Sequence, residues 1–229
     1  MHLRSGLLAG MCCLAAAARA EEAKPAYPAM APLAQYAMSG EAEEAMARSA
    51  APPSIAKDAE IMVLGSHGYE TVAKGRNGFV CMVQRAWAND LDDAEFWNPK
   101  IRGPLCFNPL AANTVLPTYL ERTGWVLAGV SRSEMAERAK VQRAAHKLPV
   151  PQWGAMSYMM SKQGYLSDAG SHWRPHLMFY LAGANSKVWG ANLPGSPVMA
   201  DNSVADGYVT FFIPVAKWSD ESPAAMDMH

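Results

Sequence analysis

The chain lacks the motifs that most quickly reveal a mechanism. Its 229 residues contain no Gly-x-Ser-x-Gly elbow, no phosphate-cradling glycine loop and no internal repeat, so the ready signatures of α/β-hydrolases, nucleotide binders and repeat architectures are missing. Charge of one sign is lacking too. Twenty Lys and Arg face 21 Asp and Glu, a balance that gives no overall footprint for nucleic acid or an anionic membrane. Cysteine is scarce, at four residues. Beyond the first twenty residues no apolar run approaches the roughly 20 residues that cross a bilayer.

What is present begins with residues 1–20, MHLRSGLLAGMCCLAAAARA. Arg4 precedes a short apolar stretch, and Ala18-Arg19-Ala20 supplies the small residues of an A-x-A cleavage site, the pattern of a secretory signal peptide. The run from Gly6 to Ala18 is too short for a membrane anchor. A lipoprotein signal needs a small residue before the modified cysteine, where Met11 precedes Cys12 and Cys12 precedes Cys13. Cleavage after Ala20 is therefore expected, with a periplasmic or extracellular product. It would remove Cys12, Cys13, Arg4 and Arg19, leaving 18 basic against 21 acidic residues, a net charge of −3. The remaining pair, Cys81 and Cys106, would form a disulfide outside the reducing cytosol. The closed loop is worth roughly 3.5 kcal/mol on the chain-entropy model.

Residues 21–54 are rich in Ala, Pro and Glu and read as an arm. Within it, Ser39 caps a short helix that carries acidic residues in its first turn and ends before Pro52-Pro53. The globular domain is expected over 55–220, with a flexible tail at 221–229. Ile61–Leu64 reads as a strand. Tyr69–Ala73 and Phe79–Val83 read as a hairpin across Asn77-Gly78, because both residues tolerate positive φ. Residues 88–109, punctuated by Pro and Gly, read as a loop that holds Cys106. Helices are expected at 114–127 and, behind a Ser131/Glu134 capping box, at 131–148. Strands follow at 155–160, 176–181 and 207–215. The sum is a single α+β domain: a mixed or antiparallel sheet, helices on one side, and a helical segment between the N-terminal and C-terminal strands. Seven Trp and fifteen Met are read as core fillers rather than as ligand chemistry.

Asn77-Gly78-Phe79-Val80-Cys81, Tyr158-Met159-Met160-Ser161, His172-Trp173-Arg174-Pro175-His176-Leu177-Met178-Phe179 and Pro214-Val215-Ala216-Lys217-Trp218 together resemble a family of exported bacterial proteins of unknown function. The resemblance spans most of the chain after the leader. It implies export and a single domain, and it brings no catalytic residues with it.

The densest cluster of chemistry is His172-Trp173-Arg174-Pro175-His176, with Asp168 upstream and His67 in the turn Gly65-Ser66-His67-Gly68. Arg174 offers a fork for an anion and Trp173 an apolar platform, so His172, Trp173, Arg174 and His176 form a candidate ligand site. The alternative is a transition-metal site of His172 and His176, completed by His67 or Asp168, in a metal-binding protein or a metal-dependent hydrolase. Pro175 rules out the helical i, i+4 geometry of a zincin. Ser54-Ile55-Ala56-Lys57 lacks the companion motifs of a penicillin-binding enzyme. The acidic stretch Asp90, Asp92, Asp93, Glu95 lacks the EF-loop glycine. The thioethers of Met226 and Met228 with His229 could hold Cu(I), but a frayed terminus is the simpler reading. The expectation is a non-enzymatic protein that binds a small molecule or an envelope component, without nucleic acid, membrane span or resident cofactor.

Overall fold

The computed structural model of the chain describes residues 26–170, 174–202 and 206–224. The leader, His172, Trp173 and residues 225–229 lie outside them. Eight strands form one mixed sheet: β1 (Glu60–Gly65), β2 (Gly68–Ala73), β3 (Val80–Gln84), β4 (Gly103–Phe107), β5 (Met156–Met159), β6 (His176–Leu181), β7 (Met199–Asp201) and β8 (Val209–Pro214). Their order is β2-β1-β3-β4-β5-β6-β8-β7. Only β1 and β3 run parallel. Five helices complete the α+β domain: α1 (Gly40–Arg48), α2 (Pro53–Ala56), α3 (Pro109–Thr114), α4 (Leu116–Leu127) and α5 (Arg132–Ala144).

The expected hairpin across Asn77-Gly78 does not form. β2 instead pairs with β1 through a two-residue turn at Ser66-His67, where Gly68 adopts φ +128, a conformation open to glycine. β3 lies on the other side of β1. The five residues from Lys74 to Gly78 are too many for a two-residue turn, and they serve as the connection between neighbours of β1. Asn77 organises that connection with its side chain, donating to the Ile55 carbonyl at 2.8 Å and accepting from the Phe79 N–H at 3.0 Å. Gly75 passes so close to β1 that a Cβ would lie 2.3 Å from the Glu60 nitrogen.

Cys106 is also not in a loop. It sits on β4, directly opposite Cys81 of β3, and the two form a buried disulfide. Gly103 and Pro104 suggested a loop, yet Pro104 pairs only with Val83, because β5 joins β4 no earlier than Cys106. A strand paired on one side tolerates a residue without an N–H. The helix expected at 114–127 forms as α4 from Leu116, and a separate short helix, α3, precedes it. Asn108 caps α3 by accepting from the Ala111 N–H at 2.9 Å, with Pro109 in the first turn. Pro117, lacking an N–H, marks the start of α4.

Ser39 caps α1 as expected, accepting from the Ala42 N–H. Ser131 caps α5, but only half the capping box forms, because the Glu134 carboxylate goes to Arg138 at 2.7 Å. Alternation along the strands divides the sheet into two faces. Met82, Leu105, Phe107, Met178 and Tyr180 pack under α3 and α4. Ile61, Cys81, Val83 and Cys106 pack with the alanines of and after α1, Ala47, Ala50 and Ala51. Helices therefore cover both faces rather than one, and the core reaches back before Ile55 to the fully buried Tyr36. The fastening is ionic: Glu43 of α1 and Arg85, both buried, pair at 2.8 Å. Trp87, Trp97 and Trp125 belong to the core as expected, together with Met135, whereas Trp153 and Trp189 are exposed.

Candidate ligand-binding cleft

The register of the C-terminal strands builds a concave site. Met159 is opposite His176, Met178 is opposite Phe212, and Asp201 is opposite Thr210. All six side chains therefore belong to the face that carries α4. α3 packs against β4 and β5 and α4 against β2, and β5, β6, β7 and β8 supply the floor of a cleft of about 300 Å³. Its walls are Ala88–Asp90 and Asp93, Tyr119 of α4, Leu166-Ser167 and Asp206.

Chemically the cleft has an apolar floor and an acidic rim. Met159, Met178, Leu166 and Phe212 supply apolar surface, and Asp90, Asp93, Asp201 and Asp206 supply carboxylates. Two of those carboxylates are committed to the scaffold. Asp93 accepts from the Asn89 side chain at 2.8 Å and from the Glu95 N–H at 2.7 Å. Asp206 pairs with Arg122, a buried guanidinium that also donates to the Asn89 carbonyl at 2.9 Å and so holds the wall in place. Asp201 differs: burial, with Asp90 and Asp206 beside it, pushes its carboxyl up to about 6. A site that crowds carboxylates in a partly desolvated space favours a proton or another cation there.

Among the described residues of the sequence-derived site, His176, 1% exposed, is the one on this floor. Its Nδ1–H donates to the Arg174 carbonyl at 2.8 Å, and its ring lies 5.7 Å from that of Phe212. Burial lowers it to about 4, so it is a neutral imidazole at ordinary pH. Arg174 is exposed at the strand entrance.

Asp168 and His67 do not join it as partners. The Asp168 carboxylate is occupied by the hydroxyls of Tyr27 and Tyr165, both at 2.5 Å, and by Lys100 at 3.0 Å. These donors hold it well below the usual carboxylate range. It ties the N-terminal arm to the 165–168 segment. His67 is exposed in the β1–β2 turn, bonded to Ser66, and β2 is five positions from β6 in the strand order. Among the described residues, no group of three or more His, Cys, Asp or Glu is placed to hold a metal ion.

Asp90 and Asp93 come from the acidic stretch that lacks the EF-loop glycine, and the sequence alone does not single out Asp201, Asp206 or Tyr119. The alternation of His176 with Met178 and of Thr210 with Phe212 was available as a signal. What it lacked was the pairing that sets these residues on one face with Asp201. No protein family model, curated protein or solved structure matches the chain.

Proposed function

We propose that this is an exported, non-enzymatic protein that binds a small amphipathic ligand, its apolar body on the cleft floor and a basic group at the rim. The observation that carries the reading is the combination of a cleft of about 300 Å³, an apolar floor of Met159, Met178 and Phe212, and the carboxyl of Asp201 raised at its edge. Ligand sites are concave and mostly apolar, with a few placed polar groups that fix orientation. Ser167, the serine that lines the cleft, donates to Glu95 at 2.6 Å. A binding role needs no further chemistry from it. The buried disulfide supports the exported setting, and an envelope component as the source of the ligand agrees with it.

The test is thermal unfolding with hexylamine, hexylguanidine, hexanol and hexanoate as probes. Amine and guanidine should raise the midpoint, since a ligand at about 100 times its Kd adds about 2.7 kcal/mol. Met178→Trp, which fills the floor, should abolish the rise. A rise that is equal for hexanoate, or unchanged in Met178→Trp, would remove the proposal. Elemental analysis addresses the metal-dependent alternative: a stoichiometric transition metal that is lost in His176→Ala would replace the present reading.

A further inference from the structure

Trp153 is 86% exposed and Val150 is 61% exposed, at the tip of the 147–154 turn between α5 and β5. An indole held this far into water is unusual, since Trp is normally well buried. The tip is braced on both sides. Leu148 is buried beneath it, the Gln152 N–H donates to Thr114 Oγ1 at 3.4 Å, and the Asn108 side chain donates to the Gly154 carbonyl at 2.9 Å. Pro149 and Pro151 fix φ at two of the intervening positions. The two apolar side chains therefore cannot fold back onto the core cheaply.

The even charge of the whole chain hides a local exception around this tip. From Arg138 to Ser167 there are five Lys or Arg and no Asp or Glu. Lys140, His146 and Lys147 are exposed on the approach to the tip. Of the acidic groups nearest in chain, Glu134 pairs with Arg138, Glu121 accepts from Gln142 at 2.8 Å, and Glu137 is exposed beside Lys140 on α5, which leaves His146 and Lys147 nearest the tip.

We infer that the 147–154 turn is a peripheral membrane contact, with Trp153 and Val150 entering the interfacial zone of an anionic lipid surface and Lys140 and Lys147 facing its headgroups. The chemistry matches on both counts. Indoles prefer the boundary between apolar and wet surroundings, and each Lys near an anionic surface adds attraction that salt screens. A protein partner fits less well. One Trp and one Val offer roughly 250 to 350 Å², less than the roughly 450 Å² of non-polar surface within the roughly 800 Å² each partner contributes to a stable interface. No helix among the described residues is long and apolar enough to cross a membrane, so the contact is a surface one. It does not depend on the cleft.

The experiment is co-sedimentation of the full chain with phosphatidylcholine vesicles, with or without about 30% phosphatidylglycerol, at low and high salt. Wild type should bind the anionic vesicles and release with salt. Trp153→Ala should weaken binding about tenfold, in line with the transfer of a large aromatic side chain, and Lys147→Glu should remove the preference for phosphatidylglycerol. The apolar N-terminal segment is common to all variants, so the difference between them belongs to the tip. Both positions are exposed, and an unchanged thermal midpoint will verify that each variant is folded. Equal binding of wild type and Trp153→Ala would overturn the proposal, as would absence of binding at low salt. Self-association in solution that Trp153→Ala abolishes would overturn it in favour of a protein partner.

Discussion

Removing the Glu43 carboxylate should unfold more of the protein than any other single polar change. Glu43 and Arg85 are 1% and 0% exposed and pair at 2.8 Å. The second carboxylate oxygen accepts from the Leu64 N–H of β1 at 3.0 Å. Arg85 in turn donates to the Tyr36 carbonyl at 2.8 Å and to the Val83 carbonyl. One pair thus joins the arm, α1, β1 and the end of β3, and it lies just before the Ala88–Asp93 wall of the cleft. In Glu43→Ala a guanidinium stays buried without its counter-ion, and breaking such a pair costs about 3–5 kcal/mol. The Leu64 N–H also loses its acceptor, for about 1–3 kcal/mol. The two losses overlap, so about 4 kcal/mol is expected, a large part of the 5–15 kcal/mol that typically holds a domain together. Urea unfolding at pH 7 reads it as a lower midpoint at unchanged slope. Replacing both partners, Glu43→Leu with Arg85→Met, should recover most of the loss, because an apolar pair needs no desolvated charge. A loss below about 1 kcal/mol in Glu43→Ala would refute the reasoning, since exposed pairs are worth that little.

Three further outcomes follow from the same structure. Cys81→Ala with Cys106→Ala should cost about 3.5 kcal/mol for a bridge that spans 25 residues, and the wild type, denatured without reductant, should show neither of these two thiols on titration. His176, lowered to about 4, makes a stability contribution that is present above its unfolded value near 6.5 and is lost as pH falls through about 4. Asp201, raised to about 6, acts in the opposite sense: its contribution is full below its unfolded value near 3.8 and is lost as pH rises through about 6. The two offset each other between about pH 4 and 6, so His176→Gln should make stability fall with rising pH there and Asp201→Asn should make it rise. Identical pH profiles for the two variants in urea melts would contradict these assignments. Asn192→Ala should promote aggregation, seen by light scattering, because Asn192 now bonds both the N–H and the carbonyl of Ala200 on β7, at 3.0 and 2.8 Å. Freed, those groups would template strand pairing at the sheet edge.

How much could be read from the sequence depended on whether the deciding physics was local. The caps at Ser39 and Ser131 sit within a turn of the groups they satisfy, and β6 was legible over its whole length from its aromatic and apolar residues. The Cys81–Cys106 bridge followed from counting. The errors arose where pairing is non-local. Asn77-Gly78 has the composition of a hairpin turn, yet β2 is taken by β1 through Ser66-His67. Pro104 has loop character, yet it is tolerated in β4 because only one side is paired there. The cleft was half visible. His176 is legible as a site residue, but in the company of His172, Trp173 and Arg174, or of His172 with His67 or Asp168 around a metal; His172 and Trp173 lie outside the described residues, and the Asp168 carboxylate is taken by Tyr27, Tyr165 and Lys100. Asp201 stands on a three-residue edge strand too short to register as a strand, and only the pairing of β7 with β8 brings it over the same floor.

The most direct measurement of the central claim is an NMR titration of the methionine-methyl-labelled chain with hexylamine. Met159 and Met178 line the cleft floor, whereas Met135 is buried in a separate core cluster. The account predicts saturable shifts of the Met159 and Met178 methyl signals, reduced in Asp201→Asn, with Met135 unmoved. Shifts that fail to saturate, or saturable shifts that spare Met159 and Met178, would contradict it.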